Sequence, residues 1–206
     1  MDKGDKQIKM RWEEKKGKIL KRLNERIREG LVDERIIPTL DSINKFSYLY
    51  TVSSCSGRVI VIDLLKIGDK RNAIFTGRWH RRVEKKEVLN AIERCERDGW
   101  FILNPPILHV VSKDIGHAKE LLKIAIECGF KRSGIKSIGK DKITVEMNST
   151  EVIETIVAKN GINIIGEDYL EVLIECANLK FERSQRKIER LNERLDEPLV
   201  DEKFAV

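Results

Sequence analysis

The chain has 206 residues, 41% of them hydrophobic and 36% charged, with a formal net charge of +6. That length buries a real core, periodic Ile, Leu and Val exclude a disordered chain, and the basic balance points to a polyanionic partner such as RNA. No apolar run is long enough to span a bilayer, and no apolar stretch follows the charged start, so a cytoplasmic protein without a membrane partner is expected.

Residues 5–29 read as a helix, because Ile8, Trp12, Ile19, Leu23 and Ile27 recur at multiples of the helical repeat. The first 30 residues hold eleven Lys/Arg against six Asp/Glu, and Gly30 follows as a stop. A second helix is expected over 33–46, with Asp33 as N-cap and Pro38 disturbing its start. YLYTV and RVIVIDLL, rich in β-branched and aromatic residues, read as strands flanking an SSCSG loop. Ile67–Asn72 reads as a turn and residues 73–80 as a further strand.

Residues 84–98 form an amphipathic pattern, with Val88, Leu89, Ile92 and Cys95 on one face and Gly99 as the expected end. Residues 100–111 are two apolar runs split by Asn104-Pro105-Pro106, hence strand, break, strand. Ser112 or Asp114 caps a helix whose expected apolar face is Ile115, Ala118, Leu121, Leu122, Ala125 and Ile126, with Gly129 as its stop. Residues 135–147 read as a hairpin turning at Gly139–Asp141, and Asn160-Gly161 marks another. The last long helix, 167–195, carries Ile174, Ala177, Phe181, Ser184, Ile188, Leu191 and Leu195 as a stripe, and the tail after Pro198 is expected to fray.

The predicted class is α+β, a mixed or mainly antiparallel sheet with flanking helices in a single domain over 1–206. The terminal helices (1–30 and 167–196) are expected to pack together as a helical layer. Cys55, Cys95, Cys128 and Cys176 contain no C-x-x-C pair, so neither a disulfide framework nor a zinc knuckle is expected.

Four features could carry chemistry. Ser53-Ser54-Cys55-Ser56-Gly57-Arg58 could expose successive N–H groups to a carboxylate or phosphate, with the Arg58 fork beside them. Asp63 is an acid inside an apolar strand and needs either a partner or a role as base. His80 ends a strand and opens a basic run with Arg81 and Arg82. His109 lies in the apolar ILHVV. Neither histidine has a metal-ligand spacing, so no metal is expected. The Walker, dinucleotide and nucleophile-elbow glycine motifs are all absent.

Several segments, in order, resemble the tRNA wybutosine-synthesising methyltransferases that modify position 37 of phenylalanine tRNA. They are TVSSCSGRVIVID at 51–63, WH at 79–80, PPILHV at 105–110, AIECGFKRSGI at 125–135, GKDKITVEMNST at 139–150 and EDYLEVLIECANLKFERSQRKIERL at 167–191. The resemblance implies an S-adenosylmethionine-dependent enzyme of archaeal type, outside the Rossmann-type methyltransferases. It would methylate N-4 of a tricyclic guanosine derivative bearing an aminocarboxypropyl chain. Asp63 or His80 would be the base, and His109 would orient the substrate. Ser53, Ser54, Cys55, Ser56, Gly57 and Arg58 would hold substrate or cofactor. Arg78, Arg81, Arg82, Lys131 and Arg132, with the basic N-terminal helix, would grip the anticodon stem–loop. Two other readings stand beside it: an RNA-binding or assembly protein without chemistry, and a Cys- or Ser-dependent hydrolase.

Overall fold

The computed structural model describes residues 3–66, 68, 69, 71–139 and 142–196. The side chain of Ile8, the hairpin tip at 140–141, two positions of the 67–72 turn and the tail after Pro198 lie outside the described residues.

In chain order, helix α1 (Lys3–Arg28) is followed by a 3₁₀ turn (Glu34–Ile36) and helix α2 (Ile37–Lys45). Strands β1 (Leu49–Cys55), β2 (Arg58–Leu64) and β3 (Ile74–Trp79) lead to helix α3 (Lys85–Glu93). Strands β4 (Asp98–Asn104) and β5 (Ile107–Ser112) precede helix α4 (Ile115–Glu127). Strands β6 (Gly134–Gly139), β7 (Lys142–Asn148), β8 (Ile153–Lys159) and β9 (Ile162–Asn163) lead to helix α5 (Glu167–Asp196).

Most element ends follow local chemistry. Gly30 (φ 67°) and Gly129 (φ 99°) each take the left-handed conformation two residues past a helix end. At each, the glycine N–H bonds back to Ile27 or Ile126, and the next N–H bonds to Arg26 or Ala125. This is the double bond pattern of a Schellman stop, and Phe130, the residue after Gly129, is fully buried. Asp33 caps as expected, accepting from the Arg35 N–H, but Pro38 splits the predicted helix into the 3₁₀ turn and α2. Asn160 and Gly161 both have positive φ, as a two-residue hairpin turn demands.

Three expectations are corrected. Strand β1 continues through Ser53, Ser54 and Cys55, so the loop shrinks to Ser56-Gly57. Helix α3 ends at Glu93, and Gly99 lies within β4. A Cβ at Gly99 would come within 2.9 Å of Cys95 Sγ and 3.0 Å of Ala158 Cβ, so this glycine permits close packing and is not a helix stop. The buried face of α4 is Ala118, Leu121, Ile124 and Ala125, while Ile115 and Ile126 are exposed.

The contacts divide the chain into two compact units. The first comprises Met1–Cys55, Ile107–Ser149 and Lys187–Val206. Its antiparallel sheet has the order β1-β5-β7-β6. Leu108, Val110, Val145 and Met147 face a core completed by α2, α4 and the Ile188–Leu191–Leu195 end of α5, against which Leu23 of α1 also packs. On the opposite sheet face, Trp12 of α1 packs on Tyr50 and Val111, and its indole N–H donates to Ser47 O at 2.8 Å.

The second unit comprises Ser56–Pro106 and Thr150–Arg186, with the antiparallel order β3-β2-β4-β8-β9. Val59, Val61, Phe101, Leu103 and Val157 meet α3 and the Leu170–Phe181 stripe of α5 in its core.

Candidate active site

In the first unit, strand register sets a row of polar side chains across one sheet face. Ser53 pairs with His109, and His109 pairs with Glu146. A bulge between Thr51 and Ser53 leaves Val52 without a partner strand residue. Regular pairing would have put Val52 opposite His109 and Ser53 opposite Leu108, on the core face; the extra residue turns the hydroxyl toward the imidazole.

The contacts along this row are short. Ser53 Oγ lies 2.9 Å from His109 Nδ1, and His109 Nε2 lies 2.9 Å from Glu146 Oε2. Lys136 Nζ, on β6, sits 3.0 Å from Glu146 Oε1. An ionised carboxylate only accepts, so His109 donates its Nε2–H to Glu146. The neutral ring then presents the Nδ1 lone pair to the Ser53 O–H. Ser53 is exposed, whereas Glu146 is 13% exposed. The Ser53 end of the row therefore meets solvent, and Glu146 is held between His109 and Lys136. Ser54 pairs with Leu108 and so turns to the other face, while Cys55 pairs with Ile107 on the Ser53 side.

In the second unit, the Ser56-Gly57 turn is closed rather than open. Ser56 is fully buried, and its carbonyl accepts from Gln185 Nε2 at 2.9 Å. Gly57 has φ 98°, and a Cβ there would meet Asn104 O at 3.2 Å and Pro106 at 3.3 Å. His80, just past β3, lies with Nδ1 3.0 Å from Gly57 O. A carbonyl only accepts, so Nδ1 carries the proton and Nε2 is the basic nitrogen of the neutral ring. Both carbonyls of this turn are engaged.

Asp63 is 2% exposed. Its Oδ1 accepts from the Arg97 N–H at 3.0 Å, its Oδ2 accepts from the Glu96 N–H at 3.2 Å, and Arg97 Nε stands 3.7 Å away. This geometry ties the segment between α3 and β4 to the sheet. It is the partner that a buried acid requires.

The predicted RNA-contacting residues divide into two groups. Arg81 makes a bidentate pair with Glu87 at 3.0 and 2.5 Å, and Arg82 pairs with Glu182 at 2.8 Å. Hydrogen bonds from Arg81, and then from the Glu84 N–H, hold the Glu87 carboxyl at about 2. Arg78 is exposed; Arg58, expected to hold substrate or cofactor, is half-buried beside it, and each guanidinium carbon lies 5.9 Å from the Phe75 ring centroid. Lys131 and Arg132 are exposed on the turn after α4, which the Arg132 N–H fastens to Asn148 O at 3.0 Å.

Glu146, Lys136 and Phe75 escaped the sequence reading. In KITVEMN the outward Glu reads as ordinary strand alternation, and only the pairing of β5 with β7 brings it to His109. Among the described residues no helix is long and apolar enough to cross a membrane, and no cluster of three metal-type ligands occurs.

Residues 14–197 match the family model described as methyltransferase TYW3. A protein of Pyrococcus furiosus named tRNA(Phe) 7-((3-amino-3-carboxypropyl)-4-demethylwyosine(37)-N(4))-methyltransferase 1 is 42% identical over 192 residues, covering 92% of this chain and 97% of that protein. The solved PH1069 protein of Pyrococcus horikoshii superposes with a TM-score of 0.87 at 41% identity, covering 91% of this chain and 97% of that one. A hypothetical protein of Aeropyrum pernix superposes with a TM-score of 0.72 at 28% identity, covering 82% and 99%. Matched along nearly its whole length, the chain belongs to the TYW3 family of methyltransferases.

Proposed function

We propose that this protein methylates N-4 of the aminocarboxypropyl-bearing wyosine-type base at position 37 of tRNA(Phe), with S-adenosylmethionine as methyl donor. The supporting observation is the named relative, 42% identical over 92% of the chain. The Ser53–His109–Glu146 row supplies a matching proton path.

S-adenosylmethionine supplies a methyl carbon on a sulfonium, open to in-line attack by a ring nitrogen. Its amino-acid end asks for hydroxyl partners, and Ser53 offers one at the exposed β1 end of the row. The attacking nitrogen has to shed a proton. Ser53 Oγ accepts that proton while passing its own to His109 Nδ1. The resulting imidazolium stands 2.9 Å from the Glu146 carboxylate, which stabilises it. Lys136 holds the other carboxylate oxygen and leaves Oε2 to the ring. Asp63, with both oxygens occupied, is assigned an anchoring role, and His80 is assigned to the Gly57 turn.

The test is transfer of a labelled methyl group from S-adenosylmethionine to tRNA(Phe) carrying the aminocarboxypropyl precursor, against the same tRNA without it. Label is expected only in the precursor-bearing tRNA and is lost with His109→Ala. Equal labelling of both, or of neither, overturns the reading.

A further inference from the structure

We propose that the β3 edge of the second unit's sheet, on the face away from its core, binds an unpaired RNA nucleotide, with Phe75 stacking on the base and Arg58 and Arg78 holding its phosphates. The RNA class rests on the tRNA reading above; the geometry is independent of it.

The site is made by a second bulge. Residues 75 and 78 are an odd number apart and would ordinarily point to opposite sides of β3. The register shift opposite Val61 and Ile62 makes Thr76 the extra residue. Phe75 therefore stands across from Ile62 and Arg78 across from Ile60, on the face opposite the core. Arg58 shares that face by strand alternation from Ile60 and Ile62. Trp100 pairs with Ile62 and also with Ile156, so Phe75, Ile62, Trp100 and Ile156 form an apolar row across four strands.

Charge selects the occupant. Both guanidinium groups sit 5.9 Å from one aromatic ring that is 48% exposed. Among the described residues neither has a carboxylate within ion-pair reach, unlike nearby Arg81, Arg82 and Lys85, which pair with Glu87, Glu182, and Glu167 and Glu171. Two like charges beside one ring repel until an anion joins them. A nucleotide in single-stranded RNA brings both missing partners, a π face for Phe75 and phosphate oxygens for the two forks. A duplex hides its base faces and offers only the phosphates.

The test is a fluorescence-anisotropy titration with a labelled RNA hairpin that has an unpaired loop, beside a blunt duplex of equal length. Phe75→Ala is expected to weaken hairpin binding by roughly tenfold and leave duplex binding unchanged, and Phe75→Trp to restore it. Arg58→Ala and Arg78→Ala should each flatten the dependence of log affinity on log salt by about 0.7. Thermal melts of each variant show that the fold is intact, as an exposed ring allows. Equal weakening on both RNAs, or none on the hairpin, overturns the platform. A wild-type protein that transfers methyl while Phe75→Ala binds the loop normally sinks the platform alone; Phe75-dependent loop binding without methyl transfer sinks the functional reading alone.

Discussion

Ser53 meets His109 across β1 and β5 because Val52 is bulged out of the pairing. One residue that joins no ladder thus decides which side chain reaches the imidazole. The second bulge, at Thr76, does the same for Phe75 and Arg78. Bulges that re-aim side chains concentrate at functional sites, and here both adjoin the residues on which the proposed chemistry and RNA contacts depend.

Glu146 is expected to act through His109. Glu146→Gln keeps the side chain's shape but removes the charge that faces the imidazolium, and its amide can offer an N–H in place of an acceptor. The rate of methyl transfer in a single turnover should fall by roughly a hundredfold to ten-thousandfold. Affinity for tRNA should stay near wild type, because Glu146 is 13% exposed and held between His109 and Lys136. A variant with unchanged single-turnover rate removes Glu146 from the proton path.

Asp63 separates anchoring from catalysis. Asp63→Ala leaves the part-buried Glu96 and Arg97 N–H groups without their acceptor, at a cost of about 1–3 kcal/mol in unfolding free energy. Asp63→Asn keeps one acceptor oxygen and should recover part of that stability. Activity should track the folded fraction in both. If Asp63→Asn melts like wild type yet transfers no methyl, the acid belongs to the reaction and the anchoring role is wrong.

Much of the fold was readable in local sequence because local chemistry decides it. Gly30 and Gly129 end helices through their own positive φ, Pro38 breaks one through its missing N–H, and Asn160-Gly161 turns a hairpin. Gly99 shows where that logic stops, since a glycine after an amphipathic run looks like a helix stop and only the approach of Cys95 and Ala158 reveals its packing role. The assignment of β1 and β2, two residues apart in sequence, to different sheets is equally invisible locally. At the site, His109 and Ser53 stood out by residue type. Glu146 did not, because its importance lies in a pairing with a strand 37 residues away.

Gly99→Ala tests that packing directly. The added methyl meets Cys95 Sγ at 2.9 Å and Ala158 Cβ at 3.0 Å, both in the buried core of the second unit. Overpacking of this kind costs about 1–3 kcal/mol, so denaturant unfolding should shift to a lower midpoint. The paired variant Gly99→Ala with Cys95→Ala makes room for the methyl and should lose less than the two single losses added together. Simple additivity would place the strain elsewhere.

The Arg81–Glu87 pair makes a prediction about pH. Arg81, then the Glu84 N–H, holds the folded Glu87 carboxyl at about 2, below the ordinary carboxylate value of 4.5. A depressed acid stabilises the fold above its unfolded pKa, and that contribution fades as pH falls from about 4.5 toward 2. The pair is on the surface, so solvent and salt screen the contribution and keep it small. Arg81→Ala should lower the melting temperature at neutral pH and bring it level with wild type near pH 2. Because Arg81 is already neutralised by Glu87, the same variant should leave the salt dependence of tRNA binding almost unchanged, in contrast to Arg58→Ala. A salt response as large as that of Arg58→Ala would return Arg81 to the RNA surface and show that its pair with Glu87 opens when RNA arrives.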